Sequence, residues 1–520
     1  MDAPSRESRR RLLHRLDRRR TIVAAGLVGA LAGAVAVVFR LVVERAEGFG
    51  QTLARTHPGA GGLLLMALLG ASLGALAGFL TERFAPDAGG SGVPQAKGAI
   101  LGLRPIRHPW RLAAVKILGG CAALSAGFSA GREGPTIHLG AAIGEIFGRV
   151  GRVPMRSRRT LVAAGAGAGL AAAFNAPLAG FLFVMEELKR EMSPLTYGTA
   201  LIGSVVAVGV AQFALGGGSS FSLPVPPTIP LSRLPAMVLV GVATGLVGVG
   251  FNRALMAGSW WRIGRRVPRW IAGAVVGLAT GLLLALWPDV TGGGHGLAER
   301  GLRGELLGDS FGLLLGLLAA KLALTVASYS TGVPGGFFAP LLVMGSLIGL
   351  LVGRLLLPMG ALAVSPPVLA SVGMAAILAG SLRAPLTGVV LIIEMTGQYG
   401  LLYDLLVAAF VAYATAELLH DTPIYEALLE RDLHGGVPVS EHEGEVVEAF
   451  VENGSRFDGT PIRALRLPEN VTIAVVEREG RTLAPRGATV LRSGDSVTAV
   501  VGAEGPMENA LAVVDGAKAP

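Results

Sequence analysis

One acidic side chain stands inside an apolar part of this sequence, between two glycines. Glu133 lies in the segment GREGPTIHLG, residues 131–140. A carboxylate at membrane depth is costly and marks a functional site by default. Gly131 and Gly134 let backbone N–H groups turn toward one point, and Pro135 can occupy the electropositive first turn of a helix. Because such a nest binds anions, Glu133 is predicted to compete with an anion for one site, as a gate does.

Two other motifs could donate hydrogen bonds to the same anion. The motif GSGVP contains Ser91 and Gly92, whose hydroxyl and backbone N–H groups are donors next to a helix start. The motif GGFFAP offers the backbone N–H groups of Phe337 and Phe338 at another helix start. The alternatives are an ordinary serine N-cap and, for the Phe338 ring, simple packing.

A pair of acids ends the segment NAPLAGFLFVMEEL. Either Glu186 or Glu187 could take protons from one side of a membrane and pass them toward Glu133. The alternative is an exposed helix end whose acids face Lys189 and Arg190. Glu186 has a counterpart in the second half of the chain, Glu394, and is therefore predicted to be structural. Glu187 has no such counterpart and is the functional candidate.

The composition indicates a membrane protein with many spans. Of 520 residues, 52% are hydrophobic and 16% charged, whereas a soluble chain carries about 25% charged residues. Arginines crowd residues 1–20, which predicts a cytoplasmic N-terminus under the positive-inside rule. No aromatic residues interleave these arginines, which disfavours nucleic-acid binding. Cys121 is the only cysteine, so no disulfide forms within the chain, and neither a metal site nor a cofactor is predicted.

The chain repeats its own plan. Apolar spans are predicted at residues 21–43, 61–80, 111–129, 198–215, 235–258, 270–287, 311–328 and 402–419. Four residues recur 205 positions later, namely Lys116, Pro135, Gly148 and Arg149, and three recur 208 positions later, namely Pro177, Gly180 and Glu186. Two repeats, at about 21–220 and 233–420, follow from this register. Repeated halves with broken helices indicate a transporter whose ion site lies between the halves.

Short helices should begin inside the protein. The runs after Pro94, Pro135, Pro340 and Pro385 are predicted to be half-helices with inward N-termini. Such termini suit an anion, whereas a cation would need carbonyl groups or more carboxylates. Lys116 and Lys321 lie within spans and need partners, and their symmetric positions indicate that at least one of them is structural. His138 is assigned no role.

The motifs GSGVP, GREGP and GGFFAP, in this order, together with NAPLAGFLFVMEE and PIYEALLERD, resemble those of the CLC family of chloride channels and proton/chloride antiporters. The resemblance covers residues 20–432 and implies an all-α membrane domain at 21–432, built of inverted repeats with broken and re-entrant helices. It further implies a homodimer with one ion pathway per subunit, in a prokaryotic inner membrane.

The resemblance also assigns roles to residues. Glu133 matches the external gating glutamate that carries the proton, and Glu187 matches the internal proton acceptor of antiporters. The predicted chloride site comprises Ser91, Gly92, Arg132, Gly134, Phe337, Phe338 and Tyr425. Channel members usually lack an acid at the Glu187 position, so H⁺/Cl⁻ exchange is predicted, with a passive gated chloride channel as the alternative. Lys97 stands where some bacterial antiporters carry a second carboxylate, so the proton route is predicted to differ in detail.

Residues 433–520 form a separate soluble region. The segment 471–480 alternates like a strand, and 482–502 predicts two more strands around turns, which together suit a small α/β domain. The pattern from Ser455 to the RSGD turn resembles the RCK/TrkA-C regulatory module, which predicts either sensing of a small effector or a dimerising cap. The cytoplasm is the expected location of this region. A further alternative for the whole chain, an intramembrane serine hydrolase using Ser91 with His108 or His138, explains neither the repeat nor Glu133.

Overall fold

The computed structural model contains two compact units, Met1–Gly436 and Val437–Pro520. The residues described below are 6–189, 193–217, 230–264, 266–362, 364–433, 445–468, 471–478, 481–483 and 485–501. Of the separate soluble region predicted at 433–520, residues 434–444 and those after 501 fall outside them.

The first unit is helical. The helices of the first half are α1 (Arg6–Thr56), α2 (Ala60–Phe84), α3 (Val93–Leu101), α4 (Pro109–Ser125), α5 (Glu133–Val150), α6 (Met155–Phe174), α7 (Pro177–Phe183) and α8 (Pro194–Leu215). The second half contains α9 (Leu234–Gly264), α10 (Arg269–Leu286), α11 (His295–Leu302), α12 (Phe311–Ser330), α13 (Phe338–Leu356), α14 (Pro366–Leu382), α15 (Pro385–Thr396), α16 (Leu402–Leu418) and α17 (Ile424–Leu433). Every predicted span coincides with a helix, and eight helices in the described part are long and apolar enough to cross a membrane. These eight include α13, which was predicted to be a half-helix, but not α4, whose 17 residues are too few for the span predicted at 111–129.

The repeat extends to an element that was not predicted. Helix α3 follows Gly92, which has a left-handed backbone with φ 88°, and α11 follows Gly294 in the same conformation with φ 79°. The segment HGLAERGL of α11 is short and polar, so it gives no apolar signal, yet it holds in the second half the place that α3 holds in the first.

Two of the predicted half-helices are longer than expected. Helices α5 and α13 contain 18 and 19 residues, about 27 Å of helix, whereas α3 has 9 residues and α15 has 12. Proline at the third position of α5 and α13 fixes where each begins, because the first turn needs no N–H partner. Both helices are almost wholly buried, so their N-termini still lie within the protein.

Helices α7 and α15 cap one another. The Glu186 carboxylate, just beyond α7, accepts hydrogen bonds from the backbone N–H groups of Leu386 and Thr387 at 3.1 and 2.7 Å. The Glu394 carboxylate near the end of α15 accepts from Leu178 and Ala179 at 3.0 and 2.8 Å. Each helix end thus meets the other helix start, which requires the two to run antiparallel. The structural role predicted for Glu186 is confirmed, and the two halves are inverted relative to one another.

Replacing the Glu186 cap should destabilise the membrane unit. Glu186→Gln removes a negative charge from the electropositive start of α15, and a charge or cap at this position contributes about 1 kcal/mol. We expect a lower thermal midpoint of the purified protein in detergent. Glu394→Gln is the matched variant and should lower the midpoint similarly, whereas melting identical to the parent would show that the caps contribute nothing.

The second unit contains an antiparallel sheet of four strands, in the order β1-β4-β2-β3. Its strands are β1 (Glu445–Phe450), β2 (Val471–Arg478), β3 (Arg481–Leu483) and β4 (Ser496–Val501). The strands predicted within 471–480 and 482–502 are confirmed, and β1 was not predicted. Of the predicted α/β domain, the described part contains the sheet and a short 3₁₀ turn. Phe457 and Leu491 pack with apolar strand residues in its core.

A buried ion pair makes this sheet sensitive to acid. Asp495 is 1% exposed and accepts hydrogen bonds from Arg478 at 2.7 Å and from the backbone N–H of Arg492 at 2.8 Å. Burial alone would raise the pKa of Asp495, but Arg478 and the Arg492 amide outweigh burial and hold this pKa below its usual value. A carboxyl with a lowered pKa stabilises the fold above its unfolded pKa of about 3.9, and this contribution is lost as pH falls through the native pKa.

We therefore expect Asp495→Asn to destabilise this domain at pH 7, by about 2 kcal/mol. The measurement is hydrogen exchange of the β4 amides in the full chain. The difference between variant and parent should begin to shrink as the pH falls below about 4, where the unfolded parent chain gains a proton, and should be lost once the pH falls below the lowered native pKa of Asp495. A difference that does not depend on pH would show that the charge of Asp495 is not the cause.

Candidate functional site

Three glycine-rich motifs from both halves meet at one place. Gly131 and Gly336 exchange two backbone hydrogen bonds, with N···O distances of 2.6 and 3.0 Å. Gly90 donates to Val333 and accepts from Gly335, both at 3.0 Å. These short bridges join the chain just before α3, α5 and α13. The structure therefore gathers the starts of three helices, as the sequence predicts, although the residues are up to 246 positions apart.

Most glycines at this meeting point are needed because neighbouring segments lie too close for a side chain, and not because the backbone adopts unusual angles. Gly134 lies within α5 with helical geometry, and a Cβ there would stand 2.9 Å from Ser91 and 3.0 Å from Gly336. The expectation that Gly134 turns its N–H by unusual backbone angles is therefore wrong, because the requirement is space. Gly92 does need its left-handed backbone, and a side chain there would collide with the ring of His138.

Donors converge on this meeting point. Ser91 is fully buried, its Oγ accepts from the backbone N–H of Val93 at 3.2 Å, and its hydroxyl group also neighbours that of Tyr329. Phe337 and Phe338 are fully buried at the start of α13. The hydroxyl of Tyr425, on α17, is buried and has no hydrogen-bond partner among the described residues. A buried hydroxyl without a partner is costly, and an anion would accept its proton.

Aromatic rings enclose the site. The Phe337 ring stacks on Tyr425, with 5.1 Å between centroids and 26° between planes, and its other neighbours include Tyr329 at 5.1 Å. The Phe338 ring packs on Phe174 at 5.4 Å, as expected for a packing role. These rings keep bulk water from the donors, and in a medium of low dielectric each donor interacts more strongly with an anion.

Glu133 is the first residue of α5 and is completely buried. Its Oε1 lies 3.1 Å from Nε2 of His295, the first residue of α11. A side chain at Gly131 would collide with the carboxylate, so this glycine provides its room. Glu133 thus stands where α5, α11 and the three-motif meeting point adjoin, which suits the predicted gate.

Two cavities approach the site from different directions. A cavity of about 390 Å³, here called the His295 cavity, is lined by His295, Arg132 and Glu44. The Arg132 guanidinium pairs with Glu44 at 2.8 Å, so it faces this cavity. A second cavity of about 260 Å³, the arginine cavity, reaches Gly90 and Tyr329. Its basic lining residues are Arg104, Arg262, Arg269 and Arg431.

Glu187 is fully buried in a π-helical turn that follows α7, a distortion often found at functional sites. Its Oε1 accepts from Nζ of Lys97 on α3 at 2.9 Å, and the Lys97 side chain is 4% exposed. Because Glu187 is buried, the exposed helix end considered as an alternative does not form, and Lys189 donates to Ser193 and Thr196. Lys97, the residue that departs from the family pattern, is therefore the partner of Glu187.

The symmetric lysines hold the loops before the two shortest site helices. Lys116 Nζ donates to the carbonyls of Ala88 and Gly90 at 2.9 and 2.7 Å, just before α3. Lys321 Nζ donates to three carbonyls before α11, that of Gly292 at 2.8 Å among them. Both are structural, which confirms the prediction for at least one.

Sequence reasoning missed His295, Tyr329 and the partnership of Lys97 with Glu187. The only sequence signal for His295 was the run GGGH, whose last glycine, Gly294, precedes α11 as Gly92 precedes α3. No group of three or more His, Cys, Asp or Glu side chains that could hold a metal occurs among the described residues.

Comparison with known proteins adds independent findings. The family model described as voltage gated chloride channel matches residues 73–417, and that described as TrkA-C domain matches residues 446–505. A protein named H(+)/Cl(-) exchange transporter ClcA from Vibrio parahaemolyticus is 37% identical over 428 residues, which cover 79% of this chain and 90% of the relative. The protein of the same name from Cronobacter sakazakii is 38% identical over 433 residues, with the same coverage.

A solved structure described as a slow cyanobacterial Cl⁻/H⁺ antiporter is also similar. Its TM-score is 0.75 at 35% sequence identity, over 80% of this chain and 98% of the other.

Proposed function

The chain belongs to the voltage gated chloride channel family, and on that premise we propose that it exchanges chloride for protons across a membrane. The observation that carries this conclusion is the convergence of three helix starts on a buried pocket beside Glu133. The names of relatives 37–38% identical over most of the chain agree with exchange. The protein is thus a transport protein with many membrane spans, and no enzymatic reaction is assigned to it.

Chloride is held, in this proposal, by hydrogen-bond donors rather than by a full positive charge. Ser91, Tyr425 and the amides of Phe337 and Phe338 supply the donors, and Gly92 and Gly134 allow the close approach of the backbone. The partial positive charges of the helix starts compensate for the lost hydration of the ion. Arg132 faces the His295 cavity, where it attracts an entering anion. Its role as a chloride ligand stays a prediction.

Glu133 acts as gate and proton carrier. When ionised, its carboxylate competes with chloride for the electropositive pocket, and when protonated it no longer does. Glu187 supplies protons from the other side, and Tyr425 lies within electrostatic range of both acids. The buried acid at position 187 favours an exchanger over a passive channel, which needs no second acid.

We place the His295 cavity on the outer side of the membrane and the arginine cavity on the cytoplasmic side. The arginine-rich residues 1–20 favour a cytoplasmic N-terminus. On this basis both termini are cytoplasmic, the cell membrane of a prokaryote is the location, and the protein works as a homodimer with one pathway per subunit. The proposed domain boundaries are 1–20, 21–432 and 433–520.

The C-terminal domain is proposed to regulate transport. The match to a TrkA-C domain supports binding of a small effector or ion, and a dimerising cap is the second proposal for the same sheet. Removal of residues 433–520 tests both, because a sensor would change the transport rate and a cap would change the oligomeric state.

Anion-dependent proton movement is the decisive experiment. Purified protein in liposomes with a chloride gradient and no pH gradient should drive protons uphill, as read by an internal pH dye. Glutamate or another large anion in place of chloride should abolish the signal. Chloride flux without proton flux would establish the channel alternative and refute exchange.

A further inference from the structure

The proposed proton carrier has no surface of its own in contact with solvent. The Glu133 side chain is 0% exposed, whereas that of His295 is 35% exposed. Nε2 of His295 lies 3.1 Å from Oε1 of Glu133. The imidazole also lines the His295 cavity and a larger one of about 750 Å³. It therefore stands between the buried carboxylate and the solvent-accessible space.

We propose that His295 passes protons between the outer cavity and the Glu133 carboxyl group, an inference that rests on the proposed exchange. In the inward step the imidazolium breaks its Nε2–H bond and Oε1 gains the proton, which leaves a neutral imidazole and a neutral acid. The neutral imidazole, which keeps its Nδ1–H, then accepts one proton on Nε2 from a hydronium ion of the cavity, which becomes water. The reverse steps release a proton, and no other reactant is needed.

The side chain suits this role chemically. Imidazole is the side chain that changes charge between pH 5 and 8, so it both takes and gives protons near neutral pH. Acid–base groups at hydrogen-bond distance typically accelerate proton transfer by about 10² to 10⁴-fold. While charged, His295 also attracts the ionised carboxylate away from the anion pocket. After transfer that attraction is gone, and the neutral acid no longer competes with the anion.

Other charges around His295 come from α1, α11, α12 and the residue before α5. Glu47 of α1 lies within electrostatic range of His295, and Glu299 lines the same cavity one turn further along α11. The basic groups nearby are Arg132, before α5, and Lys321, on α12. Glu299 is paired with Arg303 at 2.6 Å, so Glu133 and Glu47 are the acids that a proton on His295 meets.

Chemical rescue distinguishes a proton relay from a structural contact. His295→Ala should slow chloride-coupled proton exchange in liposomes by about tenfold or more. Imidazole at equal concentration on both faces of the vesicle should restore the exchange, read as chloride efflux with an electrode so that diffusion of the base does not disturb the readout. Pyrazole has the same size but is not basic at neutral pH, and it should fail to restore exchange.

Two controls make the outcome decisive. His57→Ala removes another histidine that lines the larger cavity but contacts Thr56 instead of Glu133, and it should leave exchange unchanged. In Glu133→Gln/His295→Ala, imidazole should have no effect. An exchange rate in His295→Ala equal to that of the parent, or a slow rate that pyrazole restores as well as imidazole does, would overturn the relay. Absence of coupled proton flux in the parent protein would instead refute the proposed function itself.

Discussion

Glu133→Gln is expected to abolish proton transport while chloride continues to move. The amide is nearly isosteric with the carboxyl group, but it can neither carry a proton nor bring a negative charge into the pocket. Proton flux in chloride-loaded liposomes should fall below detection, and chloride flux should lose its dependence on pH. Paired recordings of chloride efflux and internal pH on the same vesicles measure both expectations.

Glu299→Gln is the matched control for this experiment. Glu299 lines the same cavity as Glu133's partner His295 but pairs with Arg303 at 2.6 Å on an exposed helix face. Its substitution should leave both fluxes near those of the parent. Proton transport that persists in Glu133→Gln with an unchanged chloride-to-proton ratio would show that another group carries the proton.

Glu187→Gln is expected to lower both stability and proton flux. It leaves the ammonium group of Lys97 buried without its partner, and breaking a buried ion pair in this way costs roughly 3–5 kcal/mol. Proton delivery from the cytoplasmic side should slow because the internal acceptor is gone. The stability loss is measured as a lower thermal midpoint in detergent, and the proton flux in liposomes.

A second substitution separates these two effects. In Lys97→Met/Glu187→Gln no charge is left unpaired, so the thermal midpoint should return toward that of the parent. Proton flux should stay low, because methionine and glutamine cannot exchange protons. A double variant that transports protons at the parental rate would exclude Glu187 as the internal acceptor.

Apolar runs and prolines were enough to predict most of the membrane domain. Each apolar run of about 20 residues became a helix, and the prolines at 135, 340, 177 and 385 each stand in the first turn of one. The 208-residue register matched Glu186 to Glu394 and predicted a structural role for Glu186, which the mutual caps confirm, but it did not predict that these acids cap helices. Gly-rich motifs predicted the convergence of the helix starts for the same reason.

Contacts between polar residues of different segments could not be predicted from the sequence. Helix α11 is short and polar, so neither its formation nor the approach of His295 to Glu133 leaves a periodic signal. Lys97 and Glu187 are 90 positions apart, and only the packing of α3 on the turn after α7 joins them. The length of α5 and α13 was also missed, because a proline near a helix start says nothing about where the helix ends.

The mutual caps of α7 and α15 have a consequence for how the protein is made. During synthesis the first backbone N–H groups of α7 have no carboxylate to accept their hydrogen bonds until Glu394 leaves the ribosome, more than 200 residues later. Until then an electropositive helix start lies in an immature domain without its counterion. The first half is therefore expected to be a poor candidate for independent insertion, and the two ancestral halves can no longer be separated without replacing one acid in each.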